Sequence, residues 1–150
     1  MNGPEHPDTL DSMSNLANSY DDFGRWAEAL KLREDVLALR RKALGPQHPD
    51  TVKTLNLIAR TLATSDAPEI RNGTNAVRFA EEAVAATQRK TPGCLDTLAR
   101  AYAEAQQFEK AVAVEQEAIG LAQSGPEKQG YDSRLKLYQA HKPFRVGANP

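Results

Sequence analysis

Apolar residues return along this chain at steps of three and four, the spacing that gathers them on one face of a helix. Leu10, Met13, Leu16, Ala17 and Tyr20 form the first such face, with Asp11, Ser14, Asn18 and Asp22 opposite. Gly24 interrupts it. A longer helix is predicted over about 25–44, carrying Trp26, Ala29, Leu30, Leu32, Val36, Leu37 and Leu39, with Arg40, Arg41 and Lys42 in its last turn. A third, about 50–64, carries Val52, Leu55, Ile58, Ala59 and Leu62. A fourth begins near Thr74, a fifth covers about 94–105, and a sixth starts at Phe108. Tyr131, Leu135 and Tyr138 mark a seventh over about 127–140. Alternation of the strand type appears nowhere. The pattern predicts an all-α chain of three helical hairpins and one further helix.

The breaks between helices repeat as well. Gly3-Pro4-Glu5-His6-Pro7-Asp8-Thr9-Leu10 returns as Gly45-Pro46-Gln47-His48-Pro49-Asp50-Thr51-Val52, an offset of 45 − 3 = 42 residues. Glycine past a helix end is free to take positive φ, and the first proline blocks continuation. The second proline suits the first turn of a new helix, where its missing N–H costs nothing. Asp and Thr behind it place negative charge and an acceptor at the positive end of the helix dipole. The octapeptide is therefore punctuation.

The repeat steps, 59 − 17 = 42 and 99 − 59 = 40, are longer than the family period of about 34, but the small or branched pairs seven apart in each second helix (Ala29/Val36, Ala76/Ala83, Ala111/Ala118) resemble the tetratricopeptide repeat (TPR). Leu98-Ala99 with Tyr102, Phe108, Ala111 and Ala118 carries the resemblance most closely; Leu16-Ala17 with Tyr20 and Gly24 also carries it, and Ile58-Ala59 with Leu62 is a looser copy. The 42-residue step with Gly-Pro-x-His-Pro-Asp-Thr is similar to the kinesin light chain subtype. The resemblance covers about 3–122 and implies a right-handed α-solenoid of three TPR-like hairpins, about 8–44, 50–90 and 93–123. A capping helix over about 127–140 and a flexible tail over 141–150 complete this single domain. The second hairpin departs from the pattern: Leu62 to Ala76 is 14 residues, where Tyr20 to Ala29 and Tyr102 to Ala111 are 9, so its turn holds five extra. With Pro68 in it, this stretch is predicted to be the least protected segment between hairpins. The last third also resembles repeat segments at the C-termini of large bacterial proteins, some of them serine/threonine kinases.

Composition narrows the function. Nineteen basic and 20 acidic residues nearly cancel, which disfavours a nucleic-acid footprint. The one cysteine, Cys94, permits no internal disulfide and points to a reducing, cytoplasmic setting. No apolar run approaches the roughly 18 residues that span a membrane, and the N-terminus lacks the basic and apolar regions of a signal peptide. Oligomeric state is open. Asp22-Phe23-Gly24 spells the kinase magnesium triplet without the phosphate loop, strand lysine or catalytic loop that must accompany it. His6-Pro7-Asp8 and His48-Pro49-Asp50 spell the J-domain triplet, but two copies at the repeat period fit punctuation. No catalytic constellation, metal-ligand spacing or cofactor motif is present, so an enzyme is not expected.

What remains is the polar side of each hairpin's first helix, which in the resembled family lines the concave groove. The period aligns Asp11 with Lys53, Ser14 with Asn56 and Asp96, and Asn18 with Arg60 and Arg100. These eight residues, Asp11, Ser14, Asn18, Lys53, Asn56, Arg60, Asp96 and Arg100, are the candidate peptide-binding set. Arg60 and Arg100 would take carboxylates and Asn56 a ligand backbone. The expected function is a non-enzymatic module binding a peptide or partner segment in the groove. The alternative is a structural or regulatory repeat segment of a larger protein, without a ligand, in which these side chains are simply the wet sides of amphipathic helices.

Overall fold

The computed structural model describes residues 3–146. It is a stack of α-helices: α1 (Pro7–Asp22), α2 (Trp26–Leu44), α3 (Pro49–Thr64), α4 (Gly73–Ala86), α5 (Pro92–Glu104), α6 (Phe108–Leu121) and α7 (Gly125–Gln139). No strand occurs among the described residues. α1/α2, α3/α4 and α5/α6 are hairpins, each first helix packs on the second helix before it, and α7 closes on α6.

The small residues of the repeat sit where helices approach. Ala17, Ala59 and Ala99 of the first helices, and Ala29, Ala76, Ala83, Ala111 and Ala118 of the second, are all fully buried. Larger side chains fill the space between hairpins: Leu55, Ile58, Leu95 and Leu98 are at most 1% exposed. Each contributes about 1.5–3 kcal/mol by leaving water. The core runs unbroken from Leu37 through α3–α6 to Tyr131 and Tyr138 of α7.

The octapeptide works as punctuation, through a group the pattern did not single out. The N-caps are His6 and His48, whose Nδ1 atoms accept from the backbone N–H of Asp8 (3.2 Å) and Asp50 (3.1 Å). Pro7 and Pro49 follow as first-turn prolines, and Gly45 ends α2 at φ 92°.

One backbone contact recurs at all three hairpin turns. Arg25 N–H donates to Tyr20 C=O, and Gln107 N–H to Tyr102 C=O, each five residues back. Gly24 and Gln106, at φ 72° and 64°, make these tight turns. In the second hairpin the equivalent carbonyl, on Leu62, is reached by Asn72, ten residues on. The five extra residues are thus looped out between anchor points that keep the same geometry. The loop, which is expected to be poorly protected, nevertheless has internal anchors. Ala67 and Ile70 are buried, Ser65 Oγ accepts from Ala67 N–H, and Arg71 donates to Ser65 C=O at 2.7 Å.

α7 buries Tyr131 and Tyr138 as its pattern predicts, but the third contact to the core comes from Leu137, with Leu135 only half-buried. Beyond it, where a flexible tail is expected, the described part lies against the stack. His141, at φ 57°, turns the chain back, and Lys142 N–H donates to Leu137 C=O. Residues up to Val146 then lie across α5 to the end of α3, where Val146 N–H donates to Thr64 C=O at 2.8 Å. The remainder of the predicted tail, 147–150, lies outside the described residues.

Candidate functional site

Two polar hollows open between successive first helices, and all eight candidate residues line one or the other. The first, about 330 Å³, is bordered by Asp11, Ser14 and Asn18 of α1 and Lys53 of α3. The second, about 310 Å³, is bordered by Asn56 and Arg60 of α3 and Asp96 and Arg100 of α5.

In the first hollow most of the polar groups already have partners. α2 contributes Arg33 and Arg40, seven residues apart, so both point to the same side. Arg33 Nη2 donates to Asn18 Oδ1 at 2.9 Å and to Asp21 Oδ2 at 2.5 Å. Arg40 donates to Thr54 Oγ1 at 2.7 Å and to Asp11 Oδ1 at 3.0 Å. Ser14 Oγ donates to Leu10 C=O of its own helix. Lys53 alone of the predicted four is an exposed charge without an internal ion pair among the described residues. The two arginines lie outside the predicted lining because they stand on a second helix, and the repeat pattern assigns the groove to first helices. Their signal was there: Arg33 and Arg40 interrupt the apolar stripe Ala29, Val36, Leu37 of α2, and a cation in such a stripe needs a buried partner.

The second hollow has a buried ionic floor. Asp96 is 4% exposed and takes Arg100 on Oδ2 (2.6 Å from Nη2) and Arg134 of α7 on Oδ1 (2.6 Å from Nε). Arg100 is therefore not the free guanidinium the sequence suggested. It lies on the helix turn after Asp96, an i,i+4 pair, and the two neutralise each other inside the stack. Beside them Glu115 of α6 is fully buried; neither of its oxygens accepts a hydrogen bond, and the nearest cation is Arg134, whose Nε stands 3.6 Å from Oε1. Burial first, then the charge of Asp96, pushes its carboxyl up to about 9. Burial thus favours the neutral form of Glu115 over the charged one.

Above this floor Arg60 differs. Its guanidinium forms no ion pair among the described residues, and it faces Arg100 and Arg134. Partial desolvation and then repulsion from Arg100 draw its pKa below the usual arginine value, against the pull of Asp96, although the residue as a whole is exposed. It stays charged, since arginine begins so high. Asn56 Oδ1, one turn away, is buried without a hydrogen-bond donor. Three guanidiniums here meet the carboxylates of Asp96 and, at the rim, Glu127, beside the buried Glu115. The geometry offers an anion a cation and a neighbouring backbone N–H an acceptor.

Among the described residues, no group of three His, Cys, Asp or Glu is placed to hold a metal ion, and no helix is long and apolar enough to cross a membrane. Cys94 is buried, and that burial raises its thiol pKa.

Stacked hairpins at a near-constant period, sealed by a terminal helix, define an α-solenoid of helical repeats. Its hairpins resemble the TPR-like repeats of kinesin light chains. Residues 9–50, one 42-residue period, match the family model described as tetratricopeptide repeat. Kinesin light chain-related proteins 3 and 2 of Arabidopsis thaliana are each 49% identical over 43 residues. That match spans 29% of this chain and only 7% and 6% of those relatives. Among solved structures, the nearly identical TPR-like repeats of a candidate kinesin light chain from Podosopora anserina superpose with a TM-score of 0.77 at 25% identity, covering 94% of this chain and 70% of that one. A singly substituted form of the same repeats gives 0.78 at 25% identity, over 93% and 69%.

Proposed function

We propose that this chain is a non-enzymatic interaction module whose face formed by α3, α5 and α7 holds an extended segment of a partner protein. TPR-like repeats are in general protein–protein interaction modules, which supports the class. The observation that carries the site is the pairing of Arg60, cationic and without an internal counter-ion, with the unpartnered buried Oδ1 of Asn56. An acidic side chain or a terminal carboxylate meets Arg60 through two parallel N–H···O bonds, and a backbone N–H of the same segment meets Asn56. Asp96 and Arg100 act beneath it as a rigid floor, since each already satisfies the other. Asp11, Ser14, Asn18 and Lys53 extend the surface along the first hollow, with Lys53 the accessible charge.

The test is a peptide array to find a ligand, followed by calorimetry with Arg60→Glu and Arg100→Glu. Charge reversal at Arg60 removes about 2–5 kcal/mol of binding where the pair is desolvated, with the circular dichroism spectrum unchanged. Arg100→Glu instead perturbs the fold. Equal affinity for wild type and a folded Arg60→Glu variant moves the site elsewhere. The reading as a structural segment without a ligand draws on one observation: Asp11, Asn18, Asp96 and Arg100 are all engaged internally. An array without a single binder favours it.

A further inference from the structure

The same face already carries an extended segment, and it belongs to this chain. Lys142–Val146 leaves α7 at the His141 turn and crosses α5 toward the end of α3. The Phe144 ring lies over two guanidiniums at once, 5.0 Å from the Arg100 Cζ and 5.4 Å from the Arg134 Cζ. Arg145 reaches both oxygens of Glu104, at 3.2–3.3 Å. Val146 N–H meets Thr64 C=O, one of the carbonyls that the end of a helix leaves without an internal partner.

These are the contacts of a bound peptide: one aromatic side chain on a cationic platform, one charge-assisted pair, one backbone hydrogen bond. The platform is held without the segment, because Asp96 fixes both Arg100 and Arg134. Glu104 keeps Arg71 (3.3 Å) when the segment leaves. Phe144 and Arg145 are themselves only half-buried. The segment also abuts the Arg60 hollow, because Arg100 and Arg134 line that hollow and carry Phe144.

We propose that Lys142–Val146 is a displaceable internal occupant of the α3–α5–α7 face, and that this face takes extended segments in which an aromatic residue is followed by a basic one. This rests on the reading of the face as a peptide-binding surface and gives that surface a second ligand chemistry beside the carboxylate at Arg60. A partner carrying both features, an acidic group for Arg60 and an aromatic–basic pair for the platform and Glu104, displaces the tail. The tail competes at the high effective concentration of a short tether, about millimolar, so a partner that engages only the platform and Glu104 binds wild type weakly.

The experiment uses full-length protein with the internal copy disabled, Phe144→Ala/Arg145→Glu, and a blocked five-residue peptide with the sequence of 142–146. Nuclear magnetic resonance follows the Arg100 and Arg134 Nε–H signals and the Ser65 amide. The variant is expected to stay folded, and the peptide at about millimolar concentration to move these signals. In wild type the same shifts need at least about ten times more peptide. A control peptide with Ala and Glu at the two positions leaves the signals in place. Signals in the folded variant that do not respond to the peptide overturn the proposal. A variant that fails to fold overturns it as well, because a displaceable occupant is not needed for folding. Binding of this peptide together with an array that yields no partner would keep the internal occupant and discard the proposed function; an array ligand lost with Arg60→Glu, without peptide binding, would do the reverse.

Discussion

A Cβ on Gly73 would stand 2.6 Å from the backbone nitrogen of Ala105 and 2.8 Å from its Cα. The first turn of α4 thus presses directly on the end of α5, and only a residue without a side chain fits. Gly73→Ala forces two backbones apart and is expected to lose about 1–3 kcal/mol, the range of overpacking in a close-fitting site. Gly93, in the first turn of α5, has no atom within 4 Å of its Cβ position. Gly93→Ala is expected to be neutral or to gain up to about 1 kcal/mol from helix propensity. Urea denaturation of the two variants checks the contrast; equal effects would mean the α4–α5 approach is looser than described.

Asp96 holds two arginines, so its removal takes the hydrogen-bonded carboxylate from both. Asp96→Ala is expected to cost about 3–5 kcal/mol, the scale for stripping one partner from a buried ion pair. Most of that loss should disappear in a background that also removes Arg100 and Arg134 with apolar replacements. A double-mutant cycle measures this. Additive losses would show that the three side chains do not act as one unit.

Glu115 sets a pH dependence whose sign is opposite to that of a salt-bridged carboxylate. Folded, its carboxyl sits near 9, against an ordinary value of 4.5. Above pH 4.5 the unfolded chain releases this proton while the fold keeps it, so stability falls as pH rises toward 9. The slope is up to about 1.4 kcal/mol per pH unit. Glu115→Gln keeps a neutral, hydrogen-bonding side chain and removes this loss. Denaturation at about pH 5 and about pH 8, both inside that window, should therefore show a smaller drop for the variant than for wild type, and an equal drop would place the Glu115 proton elsewhere.

His48 closes the first turn of α3 with its Nδ1. His48→Ala is expected to cost about 1 kcal/mol, the usual value of an N-cap, while His48→Asn, a strong N-cap in its own right, retains most of it. Thermal denaturation distinguishes the two. Identical losses would assign the role of the octapeptide to Pro49 and Asp50 alone.

The helices were legible because two periods coincide in this sequence. The three-to-four residue spacing located each helix, and the 42-residue offset confirmed which faces are equivalent. The same offset exposed the five-residue insertion, though not that Ala67 and Ile70 would anchor it. The candidate site was legible only by position. Asn56, Arg60, Asp96 and Arg100, set together by equivalence, line one hollow. It could not tell that Asn18, Arg60 and Arg100 would have three different fates, since the partners that decide them come from α2 and α7 at unrelated distances in sequence: Arg33 for Asn18, Arg134 beside Arg100, and none for Arg60. The docked tail carried no periodic signal at all, so Phe144 and Arg145 read as a loose end.

Leu16 and Ile58 occupy the same place in successive repeats, 42 residues apart, yet Leu16 is 46% exposed and Ile58 is fully buried. The difference comes from what precedes each helix. α2 packs over the face of α3 that carries Ile58, whereas within the described residues no helix lies in front of α1. Equivalence in sequence therefore does not mean equivalence in energy. Ile58→Ala empties space between two hairpins and is expected to cost about 2–5 kcal/mol, the range for buried branched residues. Leu16→Ala removes a side chain already half in water and is expected to cost less than about 1 kcal/mol. Chemical denaturation of the two variants checks the ratio. A loss at Leu16 as large as at Ile58 would show that the outer face of α1 is covered in solution, and sedimentation at the same concentrations would then show whether a second copy of the chain supplies the cover.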